Sequence, residues 1–270
     1  MHDFNYHEPK SLAEATAIIR AARDGSFIAG GMSLISALKQ RRAKPSDLID
    51  LRFIGELTGI RRQANAIVIG AMTHHADVAD SELVRDTIPA LARLVGEMAD
   101  PAVRNRATIG GSIAHGDPAA DYPPALVAFG ATIITSTRAI QADNFFTGAF
   151  ATALRKDEIV TAVSFPIPET AAYVKFANTA SRYAIVGVFV ARSGRAVRVA
   201  VTGAKPCVFR IKEMEAILAN SFSSDAIKHI AINPEGLNAD IHGTPEYRAH
   251  LIGVMAQRAV VSAAGAHRGN

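Results

Sequence analysis

Fourteen residues near the middle of the chain, Thr108 to Asp121, constrain its fold more than any others. The run T-I-G-G-S-I-A-H-G-D-P-A-A-D places three glycines, a proline and two aspartates inside otherwise apolar sequence. Glycine opens backbone angles closed to other residues, and its missing side chain lets amide N–H groups approach an anion closely. Such a composition predicts a shaped loop here, neither an ordinary helix nor a central strand. A second pair, Gly30-Gly31 in A-G-G-M-S-L at Ala29 to Leu34, lies far upstream. Either pair can be read as a tight turn or as a phosphate cradle, and two such loops could clamp one ligand.

The flanks of the first pair bear on that choice. Ser11-Leu12-Ala13-Glu14 has capping-box spacing, and Leu12, Ala15, Ile18, Ile19 and Ala22 share one helical face, so a helix is expected from about Ser11 to Arg23. Asp24-Gly25 ends it, Ser26 to Ala29 suits a short buried strand, and Ser33 onward reads as another helix. Gly30-Gly31 therefore sits between a strand and a helix N-terminus, where unpaired N–H groups and the helix dipole favour an anion.

Further strands are expected at Asp47 to Leu51, Ala66 to Ala71, Ala131 to Thr135 and Glu158 to Ile167, with a turn at Gly55 to Gly59. Helices are expected from about His74, over Ile88 to Met98, and as a short buried element after Pro123-Pro124. The prolines after Glu158 to Ile167 mark a domain boundary. Beyond it Tyr173 to Ala177, Tyr183 to Ala191 and Ala196 to Thr202 read as strands. Lys212 to Asn220, Ser224 to Ile232 and a stretch opened by Thr244-Pro245 read as helices. The fold class is α+β: a two-part ligand-binding region, then a smaller antiparallel sheet with helices.

With 270 residues and 49% hydrophobic content the chain can bury a sizeable core, and disorder is excluded as a class. No apolar run reaches the roughly 18 residues of a membrane span, and the polar N-terminus lacks signal-peptide character, so the default reading is a cytoplasmic soluble protein. The net charge of +4 is scattered rather than striped, which argues against a nucleic-acid partner. Lys and Arg number 17 against 19 acids through Glu169 and 12 against 6 beyond it, so the C-terminal part carries the positive excess. The single cysteine, Cys207, excludes an internal disulfide, and it excludes an iron–sulfur cluster held by this chain alone, since such clusters take about four thiolates. Any such cluster belongs to a partner.

The chemistry-bearing residues narrow the ligand. Gly110, Gly111 and Ser112 offer N–H and hydroxyl donors, whereas Asp117 and Asp121 suit hydroxyl or ring N–H groups better than phosphate. A dinucleotide has that character, an anionic middle with polar ends. Neither loop matches G-x-G-x-x-G, and no G-x-S-x-G, H-E-x-x-H or Walker lysine is present. His115, Asp117 and Asp121 could be written as a metal triad, but Pro118 and the small residues around it read as a shaped loop. The adjacent His74 and His75 cannot share a helical face, and they are read as exposed helix-start residues rather than metal ligands.

The run A-G-G-M-S-L at Ala29 to Leu34, followed by R-N-R-A-T-I-G-G-S-I-A-H-G-D-P-A-A-D at Arg104 to Asp121, resembles the FAD-binding medium subunits of molybdenum hydroxylases, the xanthine dehydrogenase and carbon monoxide dehydrogenase family. The resemblance continues in D-L-I-D-L at Asp47, I-G-A-M-T at Ile69, E-I-V-T-A-V at Glu158, S-R-Y-A-I-V-G-V at Ser181, V-T-G-A at Val201 and E-Y-R-A-H-L at Glu246. It implies the two-subdomain FAD-binding fold of the vanillyl-alcohol-oxidase (PCMH) type over residues 1–170, with subdomains at about 1–56 and 57–170. The family's C-terminal α+β domain would follow over residues 171–270.

By that similarity Ala29, Gly30, Gly31, Met32, Ser33 and Leu34, with Thr108, Ile109, Gly110, Gly111 and Ser112, surround the FAD pyrophosphate and ribityl chain. Asp121 holds polar groups of the cofactor, Ile159 and Val160 lie near the adenine, Lys175 lies near the cofactor, and Tyr183 lies against the isoalloxazine. His115 and Asp117 join the cofactor-contacting set, and with Tyr183 they match the carbon monoxide dehydrogenase branch better than the xanthine dehydrogenase branch. That branch often has an acidic or amide residue where this chain has Ser112, and an Asp where it has Arg182. The resemblance places the molybdenum cofactor on a large partner subunit and [2Fe-2S] clusters on a small one, in a dimer of heterotrimers. This chain would pass electrons from FAD to an external acceptor, with no catalytic residue and no metal of its own. A stand-alone FAD oxidoreductase and a non-catalytic assembly module are the competing readings.

Overall fold

The computed structural model of the chain describes residues 1–266. Ser11 accepts a hydrogen bond from the Glu14 amide at 3.2 Å and so opens the helix Leu12–Ala21, whose Ala15 and Ile19 are buried. That helix and a second, Met32–Lys39, connect three short parallel strands in the order Asn5–His7, Asp47–Asp50, Gly25–Ile28. The central Asp47–Asp50 turns Ile49 toward Ala15 and Ile19, and Leu48 toward Ile28 and Leu38. One strand thus feeds a core on each side, as a two-residue side-chain period requires.

A five-stranded antiparallel sheet follows, in the order Ile60–Gln63, Ala66–Gly70, Val160–Pro166, Thr132–Thr135, Ala139–Gln141. Its central strand arrives last in sequence, and both of its neighbours precede it. Ile67, Ile69, Ile133, Val163 and Phe165 pack under the helices Pro89–Gly96, Ile109–His115 and Tyr122–Phe129. Every residue of Tyr122–Phe129 is buried because the helix is sandwiched between two sheets. Phe129 shows this directly, meeting Phe165 of one sheet at 5.9 Å and Phe189 of the other at 4.8 Å between ring centroids.

The chain crosses from Pro166 to Thr170 into a four-stranded antiparallel sheet, ordered Thr170–Ala177, Ala184–Ser193, Ala196–Thr202, Phe209–Arg210. Phe189, Ala191 and Ala200 face the helix Tyr122–Phe129, whereas Val186, Val188, Val190, Val199 and Val201 face Lys212–Asn220 and the 22-residue helix Pro245–Ala266. Burial on both faces explains the nearly unbroken apolar run of Ala184–Ser193.

Two local expectations need correction, and one strand was not expected. The segment after Ser223 is helical only over Ser224–Ile227, where the expected helix ran on to Ile232. Ile60–Gln63, to which the sequence assigned no element, is an edge strand, and three of its four residues are exposed. Gly25, expected at the end of the first helix, lies in a strand, where a β-carbon would meet Ile19 Cδ1 at 2.6 Å.

Candidate functional site

The strand Gly25–Ile28 delivers Ala29-Gly30-Gly31 to the start of the helix Met32–Lys39. Gly31 is the helix N-cap with φ 77°, a left-handed conformation that costs glycine little, and it has no side chain to cap the amides that follow. The first bond of that helix runs from the Ile35 amide to the Gly31 carbonyl at 2.9 Å. The amides of Gly30, Gly31, Met32, Ser33 and Leu34 have no acceptor among the described residues. Five N–H donors at the positive end of a helix form an anion site.

The second glycine pair differs from its sequence expectation. Ile109–His115 is a short helix rather than a loop, capped by Thr108, whose Oγ1 accepts from the Gly111 amide at 3.2 Å. Its other early amides are also engaged: Ile109 donates to Thr73 O at 3.1 Å, Gly110 to Ala71 O at 2.8 Å and Ser112 to Thr108 O at 3.0 Å. Glycine serves close packing here, since a β-carbon on Gly110 would sit 2.7 Å from the Ala71 carbonyl oxygen. At Gly111 a β-carbon would meet Ala29 Cβ at 3.3 Å, so the two glycine segments touch. Where the sequence suggested two equivalent cradles, one pair presents free donors and the other lets the donors' support approach.

Together they line a cleft of about 540 Å³. Of the site residues expected from the sequence, Ala29, Gly30, Gly31, Met32, Ser33 and Leu34 line it, as do Thr108, Gly110, Gly111, Ser112, His115, Asp117, Asp121, Ile159, Val160 and Tyr183. Ile109 and Lys175 do not. Ile109 is fully buried in the core beneath the second segment, so it supports the cleft without reaching it.

Lys175 acts at one remove. Its Nζ donates to Asp121 Oδ2 at 2.8 Å, while Tyr173 Oη donates to Asp121 Oδ1 at 2.5 Å. Residues two apart on a strand share a face, which brings both donors to one carboxylate. Gly187 on the neighbouring strand leaves the space that the Tyr173 hydroxyl fills. Burial pushes the Asp121 carboxyl up, against the opposing pull of the lysine and the tyrosine. With one donor on each oxygen, Asp121 braces the cleft wall and keeps further lone pairs as acceptors.

Another part of the lining is held by Glu158, which is buried, lines the cleft and precedes Ile159 and Val160. Its carboxylate accepts from Thr135 Oγ1 at 2.7 Å, Thr137 Oγ1 at 2.9 Å, Arg138 Nε at 2.9 Å and Nη2 at 3.0 Å, and the Arg155 amide at 3.0 Å. Arg138 is the main reason that its pKa lies well below the ordinary carboxylate range. Arg155 and Lys156, next in the same turn, also line the cleft and add positive charge.

At the end bearing Tyr183, Arg182 Nη1 donates to Ala99 O at 3.0 Å and ties the Ser181–Tyr183 turn to the far lip. Both tied residues have positive φ, 61° at Arg182 and 41° at Ala99. Tyr183 is 47% exposed and also lines a smaller adjoining space of about 300 Å³.

His75 was missed by sequence reasoning, which expected it to be exposed. It is 5% exposed and lines the cleft, because His74 pairs with Thr108 and the His75 amide donates to Ala107 O at 3.0 Å. Burial, then the nearby His74 and Arg104, pushes its pKa down to about 4. The partners here are backbone groups of a distant segment, so no local pattern announced it. Met98, Ala99 and Val103 also join the lining. Among the described residues no group of three or more His, Cys, Asp or Glu could hold a metal ion.

The sequence pattern described as the FAD binding domain in molybdopterin dehydrogenase matches residues 2–168. The chain is 35% identical to the carbon monoxide dehydrogenase medium chain of Hydrogenophaga pseudoflava, over 96% of each protein. It is 33% identical to the nicotine 6-hydroxylase medium subunit of Paenarthrobacter nicotinovorans, again over 96% of each. Among solved structures, a chain of the cyanide-inactivated Cu,Mo-CO dehydrogenase superposes with a TM-score of 0.88 at 31% identity, covering 98% of this chain and 99% of that one.

Proposed function

Given that this chain belongs to the family of FAD-binding domains of molybdopterin dehydrogenases, we propose that it is the electron-exit subunit of a molybdenum hydroxylase complex. It takes electrons from [2Fe-2S] clusters on a small partner subunit and passes them through FAD to an external acceptor. The molybdenum cofactor belongs to a large partner subunit, where substrate is oxidised. One cysteine in the chain fits that division, because the clusters must be held elsewhere.

The observation that carries this reading is the set of free amides from Gly30 to Leu34, opening onto a cleft lined by the second glycine segment, Ile159 and Tyr183. A pyrophosphate suits those donors. When bound, FAD supplies a two-electron store able to exchange with one-electron cluster carriers and with an acceptor. The chain's own residues bind and orient it. The amides of Gly30 to Leu34 would donate to the diphosphate, Ser112 would offer a hydroxyl to the ribityl chain, and Ile159 and Val160 would form an apolar wall for the adenine. Tyr183 would lie against the isoalloxazine, while Asp121, held by Lys175 and Tyr173, would meet polar groups of the cofactor.

We assign residues 1–170 to FAD binding, in two subdomains meeting at about residue 56, and 171–270 to the C-terminal domain. The assembly is a dimer of heterotrimers in the cytoplasm; no helix of the described residues is long and apolar enough to cross a membrane. Purified chain should bind about one FAD, release it on acid precipitation, and oxidise no aldehyde, purine or aromatic substrate until both partner subunits are added. Protein that ignores added FAD, or that turns such substrates over alone, would overturn the assignment.

A further inference from the structure

His75 lines the cleft with a buried side chain whose hydrogen-bonding capacity the fold leaves unused. Its ring packs edge-on against Tyr122 at 5.3 Å between centroids, and its Nδ1 is fully buried with no partner among the described residues. The ring nitrogen left in contact with the cleft is therefore Nε2. An orphaned buried N–H is rarer, and costs more, than an under-used acceptor, so the proton of the neutral ring belongs on Nε2 rather than on Nδ1. Nothing protonates the ring near neutrality: His74 and Arg104 raise the local positive potential, and burial disfavours the cation.

The position of the ring defines what it can meet. Arg104, whose charge it feels, donates through Nη1 to Met98 O at 2.8 Å and to Ala99 O at 3.3 Å. Ala99 O is also the acceptor for Arg182, next to Tyr183. On its other side Tyr122 follows Asp121 directly in the chain, and the charge of Asp121 reaches Tyr183. The Met98–Ala99 segment held by Arg104 thus links the His75 ring to the Tyr183 end of the cleft, while the His75 backbone is held to Ala107, beside which Gly30 packs. A single neutral donor in an apolar wall of Met98, Ala99 and Val103 suits a planar heteroaromatic ring with carbonyl oxygens and bare ring nitrogens.

We propose that His75 donates a hydrogen bond from Nε2–H to a carbonyl oxygen or ring nitrogen of the isoalloxazine, positioning the flavin and raising its electron affinity. The inference rests on the FAD reading above. The bond strengthens as the acceptor gains negative charge on reduction, which is how one neutral donor favours the reduced form.

Histidine-labelled wild-type protein examined by 15N NMR should show His75 in the Nε2–H tautomer, with its Nε2 resonance shifting when FAD is added and not when ADP is added. His75→Phe should bind FAD about five- to tenfold more weakly, the loss expected for one neutral hydrogen bond, yet bind ADP as wild type does. His75→Gln, which keeps a donor, should recover most of the FAD affinity and of the wild-type flavin absorption band. Equal FAD affinity in wild type and His75→Phe overturns the proposal. So does a parallel loss of ADP affinity, which marks His75 as a structural residue only, or an unshifted Nε2 resonance in the FAD complex. Wild-type protein that binds no FAD fails the functional reading itself.

Discussion

Gly30 and Arg106 are in backbone contact: a β-carbon on Gly30 would overlap the Arg106 carbonyl oxygen and lie 2.8 Å from the Ala107 α-carbon. Backbone cannot rotate away as a side chain can. Gly30→Ala should therefore cost about 1 to 3 kcal/mol through overpacking, and should weaken FAD binding because the donor-bearing loop must shift. Gly111→Ala meets only the Thr108 hydroxyl at 3.1 Å and Ala29 Cβ at 3.3 Å, and it gains helix propensity. Its stability should stay within about 1 kcal/mol of wild type. Thermal unfolding beside FAD titration separates the two. A Gly111→Ala variant that loses more FAD affinity than Gly30→Ala would return the anion cradle to the second segment.

The buried pair of Asp121 and Lys175 gives a second expectation. Lys175→Met leaves a carboxylate buried beside one remaining donor, Tyr173, and should cost about 3 to 5 kcal/mol. Combining it with Asp121→Asn should recover a large part of that loss, since no buried charge then remains uncompensated. Denaturant melts of the two single variants and the double variant complete the cycle. Strict additivity of the single effects would show that the pair is not coupled.

Glu158 carries a third. Glu158→Gln replaces an acceptor of five hydrogen bonds with an amide that must point an N–H₂ at other donors. A loss of about 2 to 4 kcal/mol is expected, together with weaker FAD binding as the Ile159 wall loosens. The carboxyl pKa is lowered in the folded chain, so its contribution is present above the unfolded value and disappears as pH falls below about 4.5. Wild type should lose its advantage over Glu158→Gln in that acid range, as urea midpoints across pH would record.

His75 titrates with the same sign from a different cause. Its folded pKa is about 4 against 6.5 for the free side chain, so between those values the unfolded chain takes up a proton that the folded chain refuses. Stability should fall as pH drops from 6.5 to about 4, by up to roughly 3 kcal/mol over the window. His75→Phe should lack that slope, and the difference between the two proteins isolates it from the carboxylates. Parallel stability curves for the two would mean that folding does not lower the pKa of the ring.

Local chemistry carried much of this protein in its sequence. The capping serine before Leu12–Ala21, the nearly unbroken apolar run of Ala184–Ser193 and the prolines at the start of Tyr122–Phe129 each act within a few residues, so each was legible without coordinates. So was the pairing of two glycine motifs, which pointed to a dinucleotide and to a family. Tertiary contacts decided the rest. Glycines that read as a loop became the helix Ile109–His115 because Thr73 and Ala71, on another segment, accept its first two amides. A carboxylate that read as a ligand holder is also a brace because Lys175, 54 residues away, reaches it. A histidine that read as solvent-facing became buried because Ala107 and Thr108 hold its backbone. In each case the deciding partner is distant in the chain. In two of them it is a backbone group, which every residue carries and no sequence pattern can mark.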